Sequence, residues 1–237
     1  MRQKTATMGN NKTIIYNKEQ WEMLIDFRKK ASRVMYALKD AGLDCFIYGS
    51  VARGDVTATS DMDIVIPQVV QSFIVELALD NIGITGRKLV QATPGSLIKA
   101  HIYLPDNTMV TFPLVQPVMR DVDFYSFGGK LGPDKLEDID HNRVPGVNKQ
   151  LMVIEPNPSG HIETPVSDIS PGALAKKLGT GQDIINERIR VLSRRARVGI
   201  TGVYLERMLA PDEGFEVVLE GIAAEDSLVR RIVRRNR

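Results

Sequence analysis

A single cysteine among 237 residues, Cys45, excludes an internal disulfide, and its apolar neighbours mark it as a core residue. No apolar run approaches the roughly 20 residues that a membrane-spanning helix requires. The N-terminus lacks an apolar signal-peptide core, so a cytoplasmic protein without membrane contact is expected. No internal repeat is visible. A strong excess of one charge is missing too, the net charge being +2. Charged residues at 25% and hydrophobic residues at 43% are ordinary globular composition. The length suffices for one large domain or two smaller ones with ample core. Residues Met1 to Lys12 are polar and are expected to be frayed.

The most informative stretch is Tyr48-Gly49-Ser50-Val51-Ala52-Arg53-Gly54, followed by Ser60-Asp61-Met62-Asp63-Ile64-Val65-Ile66. A strand from Cys45 to Tyr48 runs into a Gly-Ser turn. A second strand opens ten residues after Ser50 with two carboxylates at i and i+2. Successive strand side chains alternate between faces, so Asp61 and Asp63 share one face and Met62 takes the other. Adjacent carboxylates repel unless a cation lies between them. Oxygen ligands of this kind suit Mg²⁺, which takes one or two carboxylates plus substrate phosphates. Gly49 permits close approach of the backbone, and the Ser50 hydroxyl and nearby N–H groups can hold phosphate oxygens. The constellation reads as a metal–triphosphate site. Its structural alternative is an ordinary turn and two solvated strand-end acids.

Gly49-Ser50, the basic Arg53 and the Asp61-x-Asp63 pair resemble the signature of the DNA polymerase beta-type nucleotidyltransferase superfamily, and within it the small archaeal and bacterial predicted nucleotidyltransferases. The motif-bearing part runs from Leu43 to Ile66, and the element order to about Val115 also fits. The resemblance implies an α/β (α+β) palm with a mixed sheet and helices on one face. It further implies that Asp61 and Asp63 hold Mg²⁺ (or Mn²⁺) and act in catalysis, while Gly49, Ser50 and Arg53 bind the nucleotide. Active members resemble one another in a third carboxylate on a neighbouring strand. The strand here, Met109 to Val115, has none; Thr111 or Phe112 stands in its place, depending on register. Asp106 lies in the turn Pro105-Asp106-Asn107-Thr108, where Asp favours local backbone bonds. Asp121 and Asp123 precede Gly-rich sequence, and His101 is a lone strand histidine that could serve as a base. The third role stays unassigned.

Periodicity organises the rest. Asn17 and Gln20 suggest a capping box before an apolar stripe at Trp21, Leu24, Ile25, Ala31, Val34, Met35 and Leu38, which Gly42 stops. Pro67 is expected to open a helix with its face at Val70, Phe73, Ile74, Leu77 and Ala78. Strands follow around 87–91, 97–104 and 109–115, giving a palm domain over 13–118. Residues 119–168 read as an irregular and β connection, with a hairpin of Leu151–Glu155 and His161–Val166. His161 and Glu163 share a face there but have no third ligand. Residues 169–237 read as a mainly helical C-terminal region.

That region holds the second candidate. Pro171 follows Ser170 at a first helical position, Thr180-Gly181 makes a turn, and Gln182 to Arg195 carries Ile185, Ile189 and Leu192 on one face. Ala175, Gly179, Ile185 and Ile189 resemble the helix-turn-helix pattern of bacterial and phage repressors, which would offer Gln182, Asp183, Asn186 and Arg190 to a DNA groove. Gly181 is a poorer helix start than Ser or Thr. An unrelated helical hairpin is the alternative. Arginines crowd 188–197, and five of the last eight residues are arginine. Such clusters attract phosphate backbones, making Arg194, Arg230, Arg231, Arg234 and Arg235 further candidates for nucleic-acid contact. The competing reading is a solvated helix face with Glu187 paired to neighbouring arginines. Two functions follow: a metal-dependent transferase moving NMP from an NTP (ATP or another) to an acceptor hydroxyl with release of pyrophosphate, or a catalytically impaired relative binding nucleotide or nucleic acid as a regulator.

Overall fold

The helix expected after Asn17 forms over Lys18–Asp40, with the Asn17 Oδ1 accepting the Gln20 backbone N–H at 2.8 Å. The reciprocal arm of a capping box is absent, because the Gln20 side chain donates to the Val56 carbonyl instead (2.7 Å). The structure, a computed structural model, describes residues 9–136, 142–199 and 202–235. In chain order the elements are β1 (Lys12–Ile15), α1 (Lys18–Asp40), β2 (Phe46–Tyr48), α2 (Ser50–Arg53), β3 (Met62–Val65), α3 (Ser72–Leu79), β4 (Gly86–Gln91), β5 (Ile98–Leu104) and β6 (Thr108–Pro113). They continue with α4 (Met119–Gly128), β7 (Lys130–Leu131), β8 (Gly146–Val147), β9 (Met152–Asn157), β10 (Gly160–Pro165), α5 (Pro171–Leu178), α6 (Gln182–Val198), β11 (Leu205–Met208), α7 (Phe215–Glu225) and α8 (Ser227–Arg235). The class is mixed α/β with mixed sheets. Among the described residues no helix is long and apolar enough to cross a membrane.

Two units alternate along the chain: Met1–Ser32, Ile47–Ser60 and Met119–Thr201 form one, and Arg33–Phe46, Asp61–Val118 and Gly202–Arg237 the other. In the first unit, β1, β10, β9 and β8 make an antiparallel sheet in that order. Strand β1 starts at Lys12, the last residue of the segment expected to be frayed, and residues 1–8 of that segment lie outside the described residues. Its pairing with β10 depends on Gly160, whose added Cβ would lie 2.0 Å from the Ile14 carbonyl oxygen. The stretch expected to be irregular contains helix α4. Its acids and terminal glycines dilute the helical stripe, leaving only Tyr125 and Phe127 buried along it. Helices α5 and α6 form as expected, with the Ser170 Oγ accepting from the Ala173 N–H (3.3 Å) and Gly179 left-handed at φ +61°. Gly181 offers no capping side chain to α6; Asp123 on α4 supplies the carboxylate, accepting the Gly181 N–H at 3.0 Å. Leu174, Ala175, Leu178, Ile185 and Leu192 share one core with Phe127, Val147, Leu151, Val153 and Val166.

In the second unit the strand order is β11, β4, β5, β6, β3. Strand β3 runs parallel to β6, and the other pairs are antiparallel. Asp106 and Asn107 both take positive φ (58° and 52°) in the tight turn joining β5 to β6. Met62, Ile64, Ile98, Ala100, Ile102, Val110 and Phe112 are buried and line one face of this sheet. The Phe215 ring of α7 meets Phe112 edge-on there, 5.7 Å between centroids. Helix α3 differs from expectation. It starts at Ser72 rather than Pro67 and buries Ser72, Val75 and Leu79, leaving Phe73 and Leu77 61% and 73% exposed. Glu216 of α7 sets that rotation by accepting from the Ser72 N–H (2.8 Å) and Oγ (2.7 Å).

Candidate functional site

The Gly49–Ser50 turn lies in the first unit. Gly49 has φ +89° and ψ −146°, a conformation that side chains of L-residues avoid, and a Cβ there would meet nothing within 4 Å. Conformation demands the glycine, and the space above it is open. The Gly49 N–H donates to the Gly129 carbonyl (3.0 Å), so it is not free for a phosphate. The Ser50 Oγ donates to the Ser60 Oγ at 3.2 Å, and Ser60 in turn accepts the Thr57 N–H at 2.9 Å.

Two buried arginines brace this turn. Arg28, 1% exposed, donates to the carbonyls of Val51 (3.2 Å), Ala52 (3.3 Å) and Asn142 (3.2 Å). Arg53, 5% exposed, makes two 2.9 Å bonds to the Asp55 carboxylate and one of 2.6 Å to the Gly128 carbonyl. Arg53 was expected at the nucleotide. Its charge is instead paired with Asp55, and its place is that of a brace. Arg28 was missed, although an arginine inside the apolar stripe, four residues after Leu24 and three before Ala31, is a readable signal.

The acid pair lies in the second unit. Met62 and Ile64 point into the core, so the half-buried Asp63 faces the opposite side of β3; Asp61, exposed, immediately precedes the strand rather than opening it as expected. Asp63 is in register with Met109 of β6, and Val65 with Thr111. Thr111 therefore shares the Asp63 face while Phe112 belongs to the core, which resolves the two registers left open by the sequence. No strand carboxylate occupies the third position. Thr111 is itself engaged, its Oγ1 lying 2.7 Å from the His101 Nδ1 on β5. Burial, reinforced by Lys99 and Lys88, pushes the His101 pKa down to about 4. At neutral pH this histidine is uncharged.

Two carboxylates two residues apart suit Mg²⁺ or Mn²⁺ that keeps waters and takes further oxygens from a phosphate ligand. Among the described residues no group of three or more His, Cys, Asp or Glu could hold a metal by itself. His161 is part of a structural group: its Nδ1 lies 2.7 Å from the Tyr16 hydroxyl, and its Nε2 3.4 Å from Glu163.

Helix α6 gathers the other candidates. Gln182, Asn186, Arg190 and Arg194, spaced by four, are all exposed on one face, with Arg197 beside them. Glu187 pairs with Arg120 of α4 (3.2 Å) rather than with arginines of its own helix. In α8, Arg231 and Arg234 are exposed, whereas Arg230 is spent on the end of α7, donating to the carbonyls of Ala223 (2.7 Å) and Ala224. The Arg235 side chain and Arg237 lie outside the described residues.

The chain matches no protein-family model, no curated protein and no solved structure.

Proposed function

We propose that the protein is a metal-dependent nucleotidyltransferase of the palm type, transferring NMP from an NTP to an acceptor hydroxyl with release of pyrophosphate. The observation carrying this reading is the alternation along β3, which turns Met62 and Ile64 inward and leaves Asp63 half-buried between them, with the exposed Asp61 immediately before the strand. Asp61 and Asp63 would hold Mg²⁺ or Mn²⁺. A bound divalent ion supplies charge stabilisation for the attacking and leaving oxygens. In this reading the Ser50 hydroxyl, whose proton goes to the Ser60 Oγ, would turn it to a phosphate oxygen instead. Arg28 and Arg53 fix the backbone of the Gly49–Ser50 turn, and such positioning is a major part of phosphoryl-transfer catalysis.

Pyrophosphate release measured with each of the four NTPs, Mg²⁺ or Mn²⁺, and RNA or protein acceptors tests the proposal. Release that vanishes in Asp61→Asn, with the fold intact by circular dichroism, supports it. Release that survives both Asp61→Asn and Asp63→Asn sinks it.

A second reading is favoured by Met109 and Thr111 standing where an acid would complete the site, and by the exposed polar face of α6. In it, the protein binds nucleic acid without catalysis. This predicts steeply salt-dependent DNA or RNA binding that Asp61→Asn leaves unchanged and that Arg190→Ala with Arg194→Ala reduces. Binding insensitive to salt would refute it.

A further inference from the structure

Among the arginines of the first unit, the half-buried Arg188 of α6 stands apart. Arg28 donates to three backbone carbonyls, and Arg53 to the Asp55 carboxylate and one carbonyl. Arg188 has a buried Nε with no hydrogen-bond partner, and no carboxylate pairs with its guanidinium among the described residues. Its sequence neighbour Glu187 turns to Arg120. Arg195, two helical turns on, adds charge of the same sign. Burial, with Arg195 second, lowers the Arg188 pKa, and the opposing influence of Glu187 and Tyr48 does not offset it. A desolvated charge without a counter-charge is costly, and an anion is the ligand that offsets it.

The surroundings indicate which anion. The guanidinium lies over the Phe124 ring, 4.8 Å from its centroid. Phe124 packs edge-on against Tyr48 (6.2 Å) and Tyr125 (5.2 Å), and Tyr48 against Tyr125 (5.0 Å). Tyr48 is the residue immediately before Gly49. One shared ring thus separates the uncompensated guanidinium from the residue leading into the Gly49–Ser50 turn. A planar guanidinium presents parallel donors to phosphate oxygens.

We propose that Arg188 is a phosphate-binding residue of the nucleotide site, receiving the polyphosphate of the nucleotide whose phosphates approach Gly49–Ser50. This rests on the transferase reading but uses none of the acid pair. The test is a titration in EDTA, which removes metal-mediated affinity through Asp61 and Asp63. Sodium tripolyphosphate and each NTP are added to ¹⁵N-labelled full-length protein while the Arg188 Nε–H resonance, assigned by its loss in Arg188→Lys, is followed. The expected result is a saturable shift of that resonance. Binding should be weakened roughly 10- to 100-fold in Arg188→Met, which fills similar space without charge, as befits a charge-assisted hydrogen bond. Arg188→Lys should recover part of the loss.

Equal affinity in Arg188→Met, or no movement of the resonance with either ligand, overturns the proposal. Movement with a single-stranded oligonucleotide but not with tripolyphosphate or NTP also overturns it, in favour of a nucleic-acid phosphate. Should Arg188→Met fail to fold, the wild-type resonance and Arg188→Lys still decide. Asp61-dependent pyrophosphate release reports on the transferase reading separately, so the two can fail independently.

Discussion

His101 makes the stability of the protein depend on mild acid in a calculable way. Its imidazole lies beside Thr111 with Lys99 and Lys88 contributing unfavourable charge, and its pKa is lowered from 6.5 to about 4 by burial first. The folded state therefore resists a proton that the unfolded chain accepts. Above the unfolded value of 6.5 both states are neutral and His101 contributes no pH dependence. As pH falls through the interval down to about 4, the unfolded state gains protons alone, and stability declines by about 1.4 kcal/mol per unit. Below that interval the folded state protonates as well and the loss levels off at roughly 3 kcal/mol.

His101→Gln removes the titration and keeps a polar partner for the Thr111 hydroxyl. Urea unfolding of both proteins at intervals from about pH 7.5 to about pH 4 isolates the effect, because other titrating groups cancel in the difference. The variant should gain on wild type by roughly 3 kcal/mol across the window, with the change complete at its acidic end. Parallel curves would refute the argument, as would a wild type that gains relative to the variant on acidification. Either result would mean that imidazolium is accommodated in the fold and that His101 is a better base at neutral pH than its burial implies.

Three further outcomes are expected. Gly146→Ala would put a Cβ 2.6 Å from the Gly128 carbonyl, which accepts from Arg53, and 2.7 Å from the Gly129 nitrogen; overpacking of this kind costs about 1–3 kcal/mol in a urea melt, and unchanged stability would contradict the geometry. Cys45 is buried, with its pKa pushed up to about 12, burial being the main cause. Its thiol should resist a disulfide reagent at about pH 8 until the protein is unfolded, and rapid reaction of the native protein would count against this burial. Met109→Asp places a carboxylate in register with Asp63. It should lower the melting temperature without divalent metal, recover it with Mg²⁺, and raise pyrophosphate release by about 10²- to 10⁴-fold if a base was the missing part; an unchanged rate would show that it was not.

What the sequence discloses follows the range of the forces involved. The alternation at Met62-Asp63-Ile64 is legible because the period of two is a local property, and Met62 and Ile64 are buried with Asp63 half-buried between them. The turn at Asp106-Asn107 and the caps at Asn17 and Ser170 are local chemistry and equally readable. Helix α3 is not, since apolar residues surround almost all of it. Its rotation is chosen by Glu216, 144 residues away. Helix α4 escapes for the related reason that its acids have distant tasks, Asp123 capping α6 across 58 residues. The pairing of Arg53 is not legible either, because a basic residue beside a Gly-Ser turn gives no notice that its guanidinium bonds Asp55, two residues on. Arg188 reads as one of five clustered arginines until the ring beneath it and its buried, unbonded Nε set it apart.

The missing acid on β6 weighs less against catalysis than it first suggests. A general base typically contributes about 10²- to 10⁴-fold, whereas enzymes commonly accelerate their reactions by about 10⁶-fold or far more. In phosphoryl transfer most of that factor comes from positioning and charge stabilisation. In the transferase reading those are the roles of Asp61 and Asp63, and Met109 and Thr111 remove neither. A slow transferase and a binding protein therefore differ less in rate than in what the rate depends on. If turnover, however slow, requires Asp61, the acid pair is the working site, and the uncharged His101 or solvent carries the proton. If nothing requires Asp61 while the α6 arginines govern binding, the same β3 geometry serves only to hold charge in place.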